Sequence, residues 1–554
     1  MCLTRVAMKH HLTFFFAAIL ETASLSYGQH HSKLSPDLEG RNPEANVNVI
    51  IQYNQAPQQR HIDAVVRRAG RHQGTLGVVN GVAYSVRAKA LAELANDPDV
   101  AYITPDRPVS AAGTPTVFDY KLQAVNADLA QLTGWAGYGI GVAIIDSGIA
   151  DKPDLHNAFG NSVVYSQSFY SGSTPDALGH GTHVAGLVAG SGGQSNYVYA
   201  GVAPGASLIN LQVLDKNGSS TDSAVISAIQ AAIQLQSQYN IRVINLSLGR
   251  PVFESYVNDP LCQAVEAAWK AGIVVVVAAG NEGRNNSANT SGYASITAPG
   301  NDPYVITVGA MKTEGTTSRS DDLIASYSSK GPTLFDHIVK PDLVAPGNRL
   351  ISVLGGGTLG TTYKSNVTDS SYFILSGTSM ATPMVSGTVA LMLQKTPSLT
   401  PDQVKARLMK TAYKTFPVSS VATDPTTLIQ YTSYYDIFTV GAGYLDSLAA
   451  LNSTDTATGM ALSPVATYNA QNGTVSLNNI SGQSVIWGTN LIWGTNLIWG
   501  TNVVTGTNLI WGTNLIWGTS SMQGFSVIWG TNLIWGTSTT PTGESTTLAI
   551  KGEQ

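Results

Sequence analysis

The residue types best suited to chemistry cluster around Ser379. This hydroxyl stands in Gly-Thr-Ser-Met-Ala-Thr-Pro, residues 377–383, and small apolar residues follow as far as Leu393. Such a run predicts a buried helix, and a helix N-terminus carries partial positive charge and unpaired N–H groups that favour an oxyanion. The pattern suits a nucleophilic serine, although a plain cap on a core helix is an equal alternative from these residues alone.

Pro383 fits this helix awkwardly. If Ser379 caps the helix, a proline four residues later removes the donor of the first helical hydrogen bond. Departures from the usual sequence preferences of helices are most often found at functional sites. The proline therefore favours a catalytic role for this turn over a purely structural helix cap.

The elements that must position this serine form a parallel α/β pattern between about residues 121 and 452. Short apolar runs alternate with helical stretches, which is typical of a parallel sheet covered by helices on both faces. The predicted strands are Val142–Ile145, Leu208–Val213, Val243–Leu246, Ile273–Ala279 and Val305–Val308, and the clearest predicted helices are Ala224–Gln236 and Ala264–Lys270. Ligands of such sheets bind beyond the carboxyl ends of the strands.

Three further polar residues lie where this rule directs attention. Asp146 ends the first strand, Asn281 follows the strand that ends at Ala279, and His180 opens a second turn-to-helix segment. Each signal is weak alone, because an aspartate at a strand end is often a turn residue, and His180 with His183 could suggest a metal site. Neither a Glu-x-x-His pattern nor a cysteine cluster accompanies the histidines, which argues against zinc.

Together, in the chain order Asp, His, Asn, Ser, these segments resemble the four signatures of the subtilisin-like serine proteases. The segments are Ile-Asp-Ser-Gly at 145–148, His-Gly-Thr-His-Val-Ala-Gly at 180–186, Ala-Gly-Asn-Glu-Gly at 279–283 and Gly-Thr-Ser-Met-Ala-Thr-Pro at 377–383. The order Asp-His-Ser distinguishes this family from the chymotrypsin and α/β-hydrolase arrangements. The resemblance covers about residues 121–452, and four spaced motifs in one chain make it highly specific.

The resemblance implies a role for each of these residues. Ser379 would be the nucleophile, His180 the general base and later the acid, and Asp146 the group that holds the imidazole tautomer and stabilises its cation. The side-chain amide of Asn281 and the backbone N–H of Ser379 would hold the oxyanion. His183 would be a structural histidine of its motif.

The resemblance also implies how a substrate binds. Two main-chain segments would hold an extended peptide between them, a form of strand addition that accepts many sequences. These segments are Ser247, Leu248 and Gly249 on one side and Ala278, Ala279 and Gly280 on the other.

The chain departs from the family pattern at two places. Lys152-Pro153-Asp154-Leu155 replaces the usual His-Pro-Asp-Leu, which should not affect the chemistry. The loop at 191–200, where many relatives bind calcium, contains no carboxylate, but carbonyl oxygens can also bind this ion. No cofactor is expected for catalysis, metal ligands are unknown, and a structural calcium ion stays an open question.

A compact α+β segment precedes the predicted peptidase domain, and it is similar to the inhibitory propeptide of the family. Its predicted β-α-β-β-α-β order consists of the strand Val47–Tyr53, the helix Arg60–Gly70, a hairpin at 74–86 around Asn80-Gly81, the helix Lys89–Ala95 and the strand Val100–Ile103. We expect this ferredoxin-like module to block the cleft with its last strand and tail. A cut near Ala111–Thr114 would release the mature enzyme, whereas a detached domain left in place is the alternative.

Composition and the N-terminal residues indicate an extracellular protein. Of 554 residues, 12% are charged, against a typical ~25%, and the net charge of −5 argues against nucleic-acid binding. Arg5 and Lys9 precede the apolar run 12–20, and small and polar residues follow to Gly28, which predicts a secretory signal peptide. The apolar run is too short to span a bilayer, although an uncleaved anchor is the rival interpretation.

Cysteine usage adds one constraint. Cys2 lies in the predicted signal peptide and Cys262 is the only other cysteine, so the mature chain is expected to lack an intrachain disulfide. Cys262 falls in a helical pattern, where a buried structural thiol is favoured over a nucleophile.

The last part of the chain is a repeat. Residues 456–543 contain no Asp, Glu, Lys or Arg, and seven of the nine tryptophans share one six-residue register of Asn-Leu-Ile-Trp-Gly-Thr units. Each unit suits a short strand followed by a bend, and nine such units could stack as a β-solenoid. The tryptophan ladder could bind a polymer or self-associate, and simple structural stacking is the alternative.

The predicted fold class is α/β, with a subtilisin-like parallel sheet flanked by helices, an α+β ferredoxin-like propeptide before it and a Trp-rich hexapeptide-repeat β tail after it. The predicted parts are a signal peptide (1–28), a linker (29–46), the inhibitory propeptide (47–112), the peptidase domain (113–452) and the tail (453–554), with repeats at about 484–537.

We therefore expect a secreted serine endopeptidase, made as a zymogen, that hydrolyses peptide bonds through an acyl-enzyme. Its partners would be peptide substrates, its own propeptide, and a polymer or a second copy through the Trp repeat, but not nucleic acid. One alternative is a catalytically silent adhesion protein in which the repeat is the function, against which the presence of all four site residues argues. Another is a transpeptidase on the same scaffold, which the sequence does not separate from hydrolysis.

Overall fold

The computed structural model describes most of the chain between residues 33 and 478 and several short segments after it. The described residues are 33–35, 38, 46–68, 70–110, 120–170, 174–286, 290–368, 370–424, 427–457, 459–469, 474–478, 503–505, 509–511, 515–517 and 552–553. The predicted signal peptide and most of the predicted repeat lie outside these residues.

A small antiparallel sheet with two helices forms the first described unit. Its elements are β1 (Asn46–Tyr53), α1 (Gln59–Val66), β2 (Arg71–Leu76), β3 (Gly81–Arg87), α2 (Leu91–Ala95) and β4 (Val100–Pro105). The strand order β2-β3-β1-β4 is that of a β-α-β-β-α-β unit, and the elements occur in the predicted sequence. A short strand, β5 (Pro108–Ser110), follows this module.

Two local features of this module differ from the sequence prediction. The β2–β3 connection contains a 3₁₀ turn, Gly77–Val79, followed by Asn80 in the left-handed region (φ 50°), so it is longer than the two-residue turn that Asn-Gly favours. Helix α1 ends before Gly70 because the Gly70 N–H bonds back to the carbonyl of Val65.

The following residues, up to 457, form a larger α/β unit. Its elements are α3 (Lys121–Ala124), α4 (Ala127–Leu132), β6 (Gly141–Asp146), β7 (His156–Asn157), β8 (Gly160–Asn161), β9 (Val163–Ser168), α5 (His180–Ala189), β10 (Ser207–Gln212), β11 (Ser219–Thr221), α6 (Asp222–Gln234), α7 (Gln236–Tyr239), β12 (Ile241–Leu246), α8 (Pro260–Lys270), β13 (Val274–Ala278), β14 (Ile306–Lys312), β15 (Leu323–Ile324), β16 (Leu343–Pro346), β17 (Leu350–Val353), α9 (Gly357–Thr362), β18 (Tyr372–Leu375), α10 (Thr378–Lys395), α11 (Pro401–Thr411), β19 (Ser419–Thr423), β20 (Gln430–Tyr434) and α12 (Ser447–Asn452).

The central sheet of this unit is almost entirely parallel. Eight strands lie in the order β15-β14-β13-β12-β6-β10-β9, with β16 also paired to β14. Every pair is parallel except β14–β15. The five predicted apolar strands correspond to β6, β10, β12, β13 and β14, so the predicted parallel sheet is confirmed.

The connections place helices on both faces of the sheet. The chain passes from β6 to β9, returns through α5 to β10, and then continues through α6 to β12 and through α8 to β13. Helices α5 and α10 form one packed pair and α6 and α8 form another, and both pairs contact the strands of the sheet. Helix α10 packs against α5 and against β12, β13 and β14. The carboxyl ends of the strands and the first residues of α5 and α10 therefore meet at one edge, as expected for a ligand site.

Helix α10 runs through the core, which explains its small residues. Its side chains are buried from Thr378 to Leu393. At Gly387, an added Cβ would lie 2.6 Å from the Cβ of Val202, so only glycine allows this approach. Among the described residues, no helix combines the length and apolar character needed to cross a bilayer.

The described part of the tail consists of short strands. They are β21 (Val465–Asn469), β22 (Thr474–Asn478), β23 (Val503–Thr505), β24 (Leu509–Trp511) and β25 (Leu515–Trp517). Two successive repeat units, β24 and β25, pair antiparallel, with residue 509 opposite residue 517. This antiparallel pairing differs from the parallel stacking of a β-solenoid. The solenoid prediction for the remaining units concerns residues outside those described.

Candidate active site

An aspartate and a histidine are in direct contact at the carboxyl edge of the sheet. Asp146 is the last residue of β6 and His180 is the first residue of α5, and their Oδ1 and Nδ1 atoms lie 2.7 Å apart. Both side chains are buried. A proton on Nδ1 donated to the carboxylate leaves Nε2 as the basic atom of the neutral ring. This geometry orients the imidazole for proton transfer.

A second carboxylate holds the beginning of α5 in place. Asp176 accepts hydrogen bonds from the N–H groups of Gly179 (2.7 Å) and Thr182 (2.8 Å) and from the hydroxyl of Ser147 (2.8 Å). The Ser147 oxygen in turn accepts from the N–H of Gly181 (2.9 Å). Burial raises the pKa of the Asp176 carboxyl, while these hydrogen bonds act to lower it. Asp176 thus ties the residue after Asp146 to the helix that carries His180.

His183 and Cys262 are buried and hydrogen-bonded in ways that fit a structural role. The Nε2 atom of His183 lies 3.1 Å from the carbonyl oxygen of Leu350 and 3.0 Å from that of Phe373. Burial lowers the pKa of His183 to about 3, so the ring is neutral and acts as a donor between two segments. Cys262 is buried, donates to the side-chain oxygen of Asn301 and has a pKa raised by burial, which does not suit a nucleophile.

Ser379 lies in the first turn of α10 and forms two hydrogen bonds with Ser247. The Ser379 hydroxyl donates to the backbone carbonyl of Ser247 (3.0 Å), and the Ser247 hydroxyl donates to the backbone carbonyl of Ser379 (2.7 Å). Pro383 explains the second bond. A helical residue at 383 would normally donate its N–H to the carbonyl of residue 379, but proline has none. Ser247 therefore supplies the missing donor.

Asn281 is oriented by the residue before the serine. Its side-chain carbonyl accepts the backbone N–H of Thr378 (2.9 Å) and lies 3.2 Å from the Thr378 hydroxyl. The same hydroxyl accepts the N–H of Gly280 (3.1 Å). With its oxygen fixed in this way, the Asn281 amide directs its NH₂ group away from Thr378. An amide donor next to the Ser379 turn suits an oxyanion.

The two predicted substrate segments differ in what their main chains offer. Ser247, Leu248 and Gly249 follow β12 at the sheet edge. The Ser247 carbonyl accepts the Ser379 hydroxyl, and backbone pairing with another segment begins at Arg250, which exchanges hydrogen bonds with Ala298. In the segment 278–280, by contrast, the Ala279 N–H donates to Val308 and the Ala279 carbonyl accepts from Thr297. Ala279 can therefore line a wall, but its main chain is already used within the protein.

Besides the two predicted main-chain segments, the structure contains a third one that sequence reasoning missed, the strand β11. Its residues pair antiparallel with β5, so that Ser219, Ser220 and Thr221 lie opposite residues 110, 109 and 108. An extended segment of the same chain thus occupies this edge. The polar stretch 219–221 follows a Gly-containing turn and gives only a weak strand signal, which is why the pattern did not reveal it.

The Asp154 carboxylate contacts the loop at 191–200 that was suggested for calcium. It accepts the N–H of Gln194 (2.8 Å) on one oxygen and the hydroxyl of Tyr372 on the other. In the part of the chain that the structure describes, no cluster of three or more His, Cys, Asp or Glu side chains could hold a metal ion.

The structure thus places the predicted residues at one edge of the sheet. Asp146 and His180 are in contact, while Ser379 and Asn281 are joined through Thr378 and lie on α10 and beside it. Comparison with family models gives a match to the Subtilase family over residues 137–462. The chain belongs to the subtilase family. The predicted resemblance is therefore confirmed.

Individual subtilases agree with this assignment. The chain is 42% identical to serine protease AprX of Bacillus subtilis over 279 residues, covering 49% of this chain and 61% of AprX. It is 37% identical to subtilisin E of the same species over 353 residues, covering 63% of this chain and 80% of subtilisin E.

A solved structure shows the same fold. Fervidolysin from Fervidobacterium pennivorans, described as a keratinolytic enzyme related to subtilisin, superposes with a TM-score of 0.59. The superposition covers 80% of this chain and 66% of that chain, at 22% sequence identity. The aligned parts thus span less than two thirds of AprX and of fervidolysin.

Replacing Ser247 should destabilise the subtilase domain. Ser247→Ala leaves the Ser379 carbonyl buried without a donor, which should lower the free energy of unfolding by about 1–3 kcal/mol. Urea unfolding in a Ser379→Ala background measures this without self-digestion. Ser227→Ala is the control, because the Ser227 hydroxyl donates to a carbonyl within helix α6 (2.7 Å) at a half-buried position. Equal effects of the two substitutions would contradict the role given to Ser247.

Proposed function

We propose that this subtilase is a serine endopeptidase that acts through Asp146, His180 and Ser379. The observation that carries the proposal is the buried 2.7 Å contact between Asp146 and His180 at the sheet edge where helix α10 presents Ser379. The family membership supports the same chemistry, because subtilisin uses the chain order Asp, His, Ser.

The reaction follows from what each group can donate or accept. In this mechanism the Ser379 hydroxyl leaves the Ser247 carbonyl and donates to Nε2 of His180. As the Ser379 oxygen bonds to the scissile carbonyl carbon, Nε2 takes the hydroxyl proton and Asp146 stabilises the resulting imidazolium. The oxyanion is held by the Asn281 NH₂ group and the Ser379 N–H.

The intermediate then breaks down in two steps. His180 gives its proton to the leaving amine, the C–N bond breaks, and an acyl-enzyme on Ser379 remains. A water molecule repeats the sequence, with His180 again as the base, and releases the acid. A transpeptidase would differ only here, because an amine would replace the water, so analysis of products with added amine separates the two activities.

Kinetics of single variants test this proposal. Ser379→Ala should abolish peptide hydrolysis and labelling by a serine-directed phosphonate. Asn281→Ala should lower kcat about 100- to 1000-fold with little change in KM, a magnitude known from subtilisin for loss of one oxyanion donor. Asn301→Ala is a control that changes a buried asparagine bonded to Cys262 instead. Phosphonate labelling that persists in Ser379→Ala would contradict the proposal and favour a silent binding protein.

We further propose that residues 47–112 act as an inhibitory propeptide. Apolar residues of the module, Ile50, Leu76, Val79 and Ala83, belong to the same buried cluster as the core of the α/β unit. The module lies against α6 and α8. Its tail continues as β5 along the β11 edge, which supports a mode of inhibition in which the module's own chain lies where a substrate would.

Buried charges support a tight interface at the module's tail. Glu254 accepts hydrogen bonds from Arg107 (2.7 Å), Tyr102 (2.7 Å) and Thr104 (2.9 Å) of the module. Asp106 accepts the N–H of Ser223 (2.6 Å) at the beginning of α6, where an acidic group is favoured by the helix dipole. Removing one partner of such a buried pair leaves the other charge uncompensated.

The processing of the secreted chain tests this role. Mass spectrometry should find a mature N-terminus between residues 111 and 115, and a mature chain that begins near residue 29 would contradict it. Arg107→Ala should shorten the delay between cleavage and full activity at least tenfold, because Glu254 loses its buried counter-ion. Arg71→Ala, at an exposed position of the same module, is the control and should leave the delay unchanged.

We propose that catalysis needs no cofactor, because the proposed steps use only side-chain and backbone groups of the protein. Activity at a temperature well below the Tm should therefore be the same in excess EDTA as in calcium buffer. Activity that is lost in EDTA at that temperature and returns with calcium would contradict the proposal. A Tm that falls in EDTA and returns with calcium would instead indicate the structural calcium ion at the loop 191–200 that the sequence leaves open.

The remaining parts of the chain complete the proposal. Residues 1–28 would direct secretion, residues 29–46 would link, residues 113–452 would form the peptidase domain and residues 453–554 the tail. The Trp repeat would contact a polymer or a second copy of the chain. Polymer binding is tested by mixing the secreted Ser379→Ala variant with insoluble polysaccharide. Self-association is tested by sedimentation of the same variant.

A further inference from the structure

Glu553 binds to a polar site on the α/β unit. This site, here called the seat, is formed by Arg284, Lys312, Ser326 and Asn348. The Glu553 carboxylate accepts hydrogen bonds from the Arg284 guanidinium (2.7 Å) and from the N–H of Ser326 (3.0 Å), and the Ser326 hydroxyl also contacts it. The Lys312 ammonium lies 3.7 Å away. These hydrogen bonds all end on Oε1, whereas Oε2 is buried near the Lys312 ammonium and accepts no hydrogen bond among the described residues.

The seat also binds the main chain of this residue. The Asn348 side chain donates to the Glu553 carbonyl (3.1 Å) and accepts from the Glu553 N–H (3.0 Å). One amide side chain therefore satisfies both backbone groups, as a neighbouring strand would. Glu553 is only 5% exposed, so its backbone contacts, the hydrogen bonds to Oε1 and the nearby positive charges offset part of the cost of desolvating the carboxylate.

Arg284 is prepared for this contact by its other partners. Its guanidinium donates to Asp424 (3.0 Å) and lies 4.5 Å from the ring centroid of Tyr431, which belongs to β20. Its Nε donates to the Ser326 hydroxyl. Arg284 is thus held between the β19–β20 hairpin and the sheet, with its Nη2 atom donating to Glu553. This preorganisation lowers the entropic cost of holding the carboxylate.

The seat joins two segments that support the active site. Arg284 lies three residues after Asn281 in the same loop. Asn348 follows Gly347, whose carbonyl accepts the N–H of Gly377 (2.8 Å) directly before the Thr378–Ser379 turn. Occupation of the seat by Glu553 therefore connects the loop of the proposed oxyanion donor with the segment that supports the nucleophile.

The chain is also held at the point where it leaves the α/β unit. The Ala466 N–H donates to the carbonyl of His337 (2.8 Å), and the Val339 N–H donates to the carbonyl of Pro464 (2.8 Å). The Trp repeat at about 484–537 lies between these contacts and residue 553.

We propose that the seat is a binding site for an acidic residue in an extended chain, and that Glu553 is its occupant. The described residues on either side of the repeat, Ala466 and Glu553, are then both fixed to the peptidase domain. The entropic cost of joining two fixed points grows only slowly with the length of chain between them, so even a long insertion can be held in this way. The proposal does not depend on catalysis, so it can be tested in the inactive Ser379→Ala protein.

Hydrogen exchange at Ser326 reads the seat directly, because the Ser326 N–H donates to Glu553. In the full chain carrying Ser379→Ala, Glu553→Ala should accelerate exchange of the Ser326 amide at least tenfold. Glu553→Gln keeps an acceptor oxygen but loses the charge, so an intermediate rate is expected. Glu544→Ala, the same change nine residues earlier, is the control. A Ser326 rate in Glu553→Ala equal to that of the control would overturn the proposal.

A double-mutant cycle tests whether Arg284 is the partner that holds the carboxylate. Glu553→Ala should lower the Tm, and Arg284→Ala should lower it further because Asp424 also loses its counter-ion. In the Arg284→Ala background, Glu553→Ala should add little, since the main attraction has already been removed. Fully additive shifts in Tm would show that Glu553 acts elsewhere and would overturn the assignment.

Discussion

The hydrogen bond between Asp146 and His180 is the interaction on which the account of this protein depends. It exists because β6 ends and α5 begins at the same edge of a parallel sheet, where a crossover returns the chain to the neighbouring strand. Asp176 and Ser147 connect the same two elements by further hydrogen bonds. The position of the imidazole is therefore set by several hydrogen bonds between the end of β6 and the start of α5, and not by the Asp146–His180 contact alone.

The proposed nucleophile, Ser379, is held by a hydrogen bond that replaces one lost to proline. Pro383 removes a helical donor in the first turn of α10, and the Ser247 hydroxyl replaces it from the end of β12. Strand and helix are thus joined at Ser379 itself. The Ser247 hydroxyl is in turn bonded to Asn245, whose carbonyl accepts from Ser386 further along α10. A proline that weakens an isolated helix here helps to fix one residue relative to the sheet.

Much of the fold and of the candidate site followed from the sequence, because both leave local patterns. Buried parallel strands read as continuous apolar runs, and the residues at their ends form short motifs with a fixed chain order. Contacts between distant polar residues leave no such pattern. Asp176, Glu254 and Glu553 are ordinary acidic residues in the sequence, and their partners lie on other elements. β11 was missed for a related reason, because its strand character comes from pairing with β5 and not from its own residues.

The most direct test of the central claim is a crystal structure of the protein with a peptidyl phosphonate bound. We expect phosphorus bonded to the Ser379 oxygen, a phosphonyl oxygen within hydrogen-bond distance of the Asn281 NH₂ and the Ser379 N–H, and His180 still bonded to Asp146. An unmodified Ser379, or an adduct with the His180 ring beyond hydrogen-bond reach of it, would contradict the account.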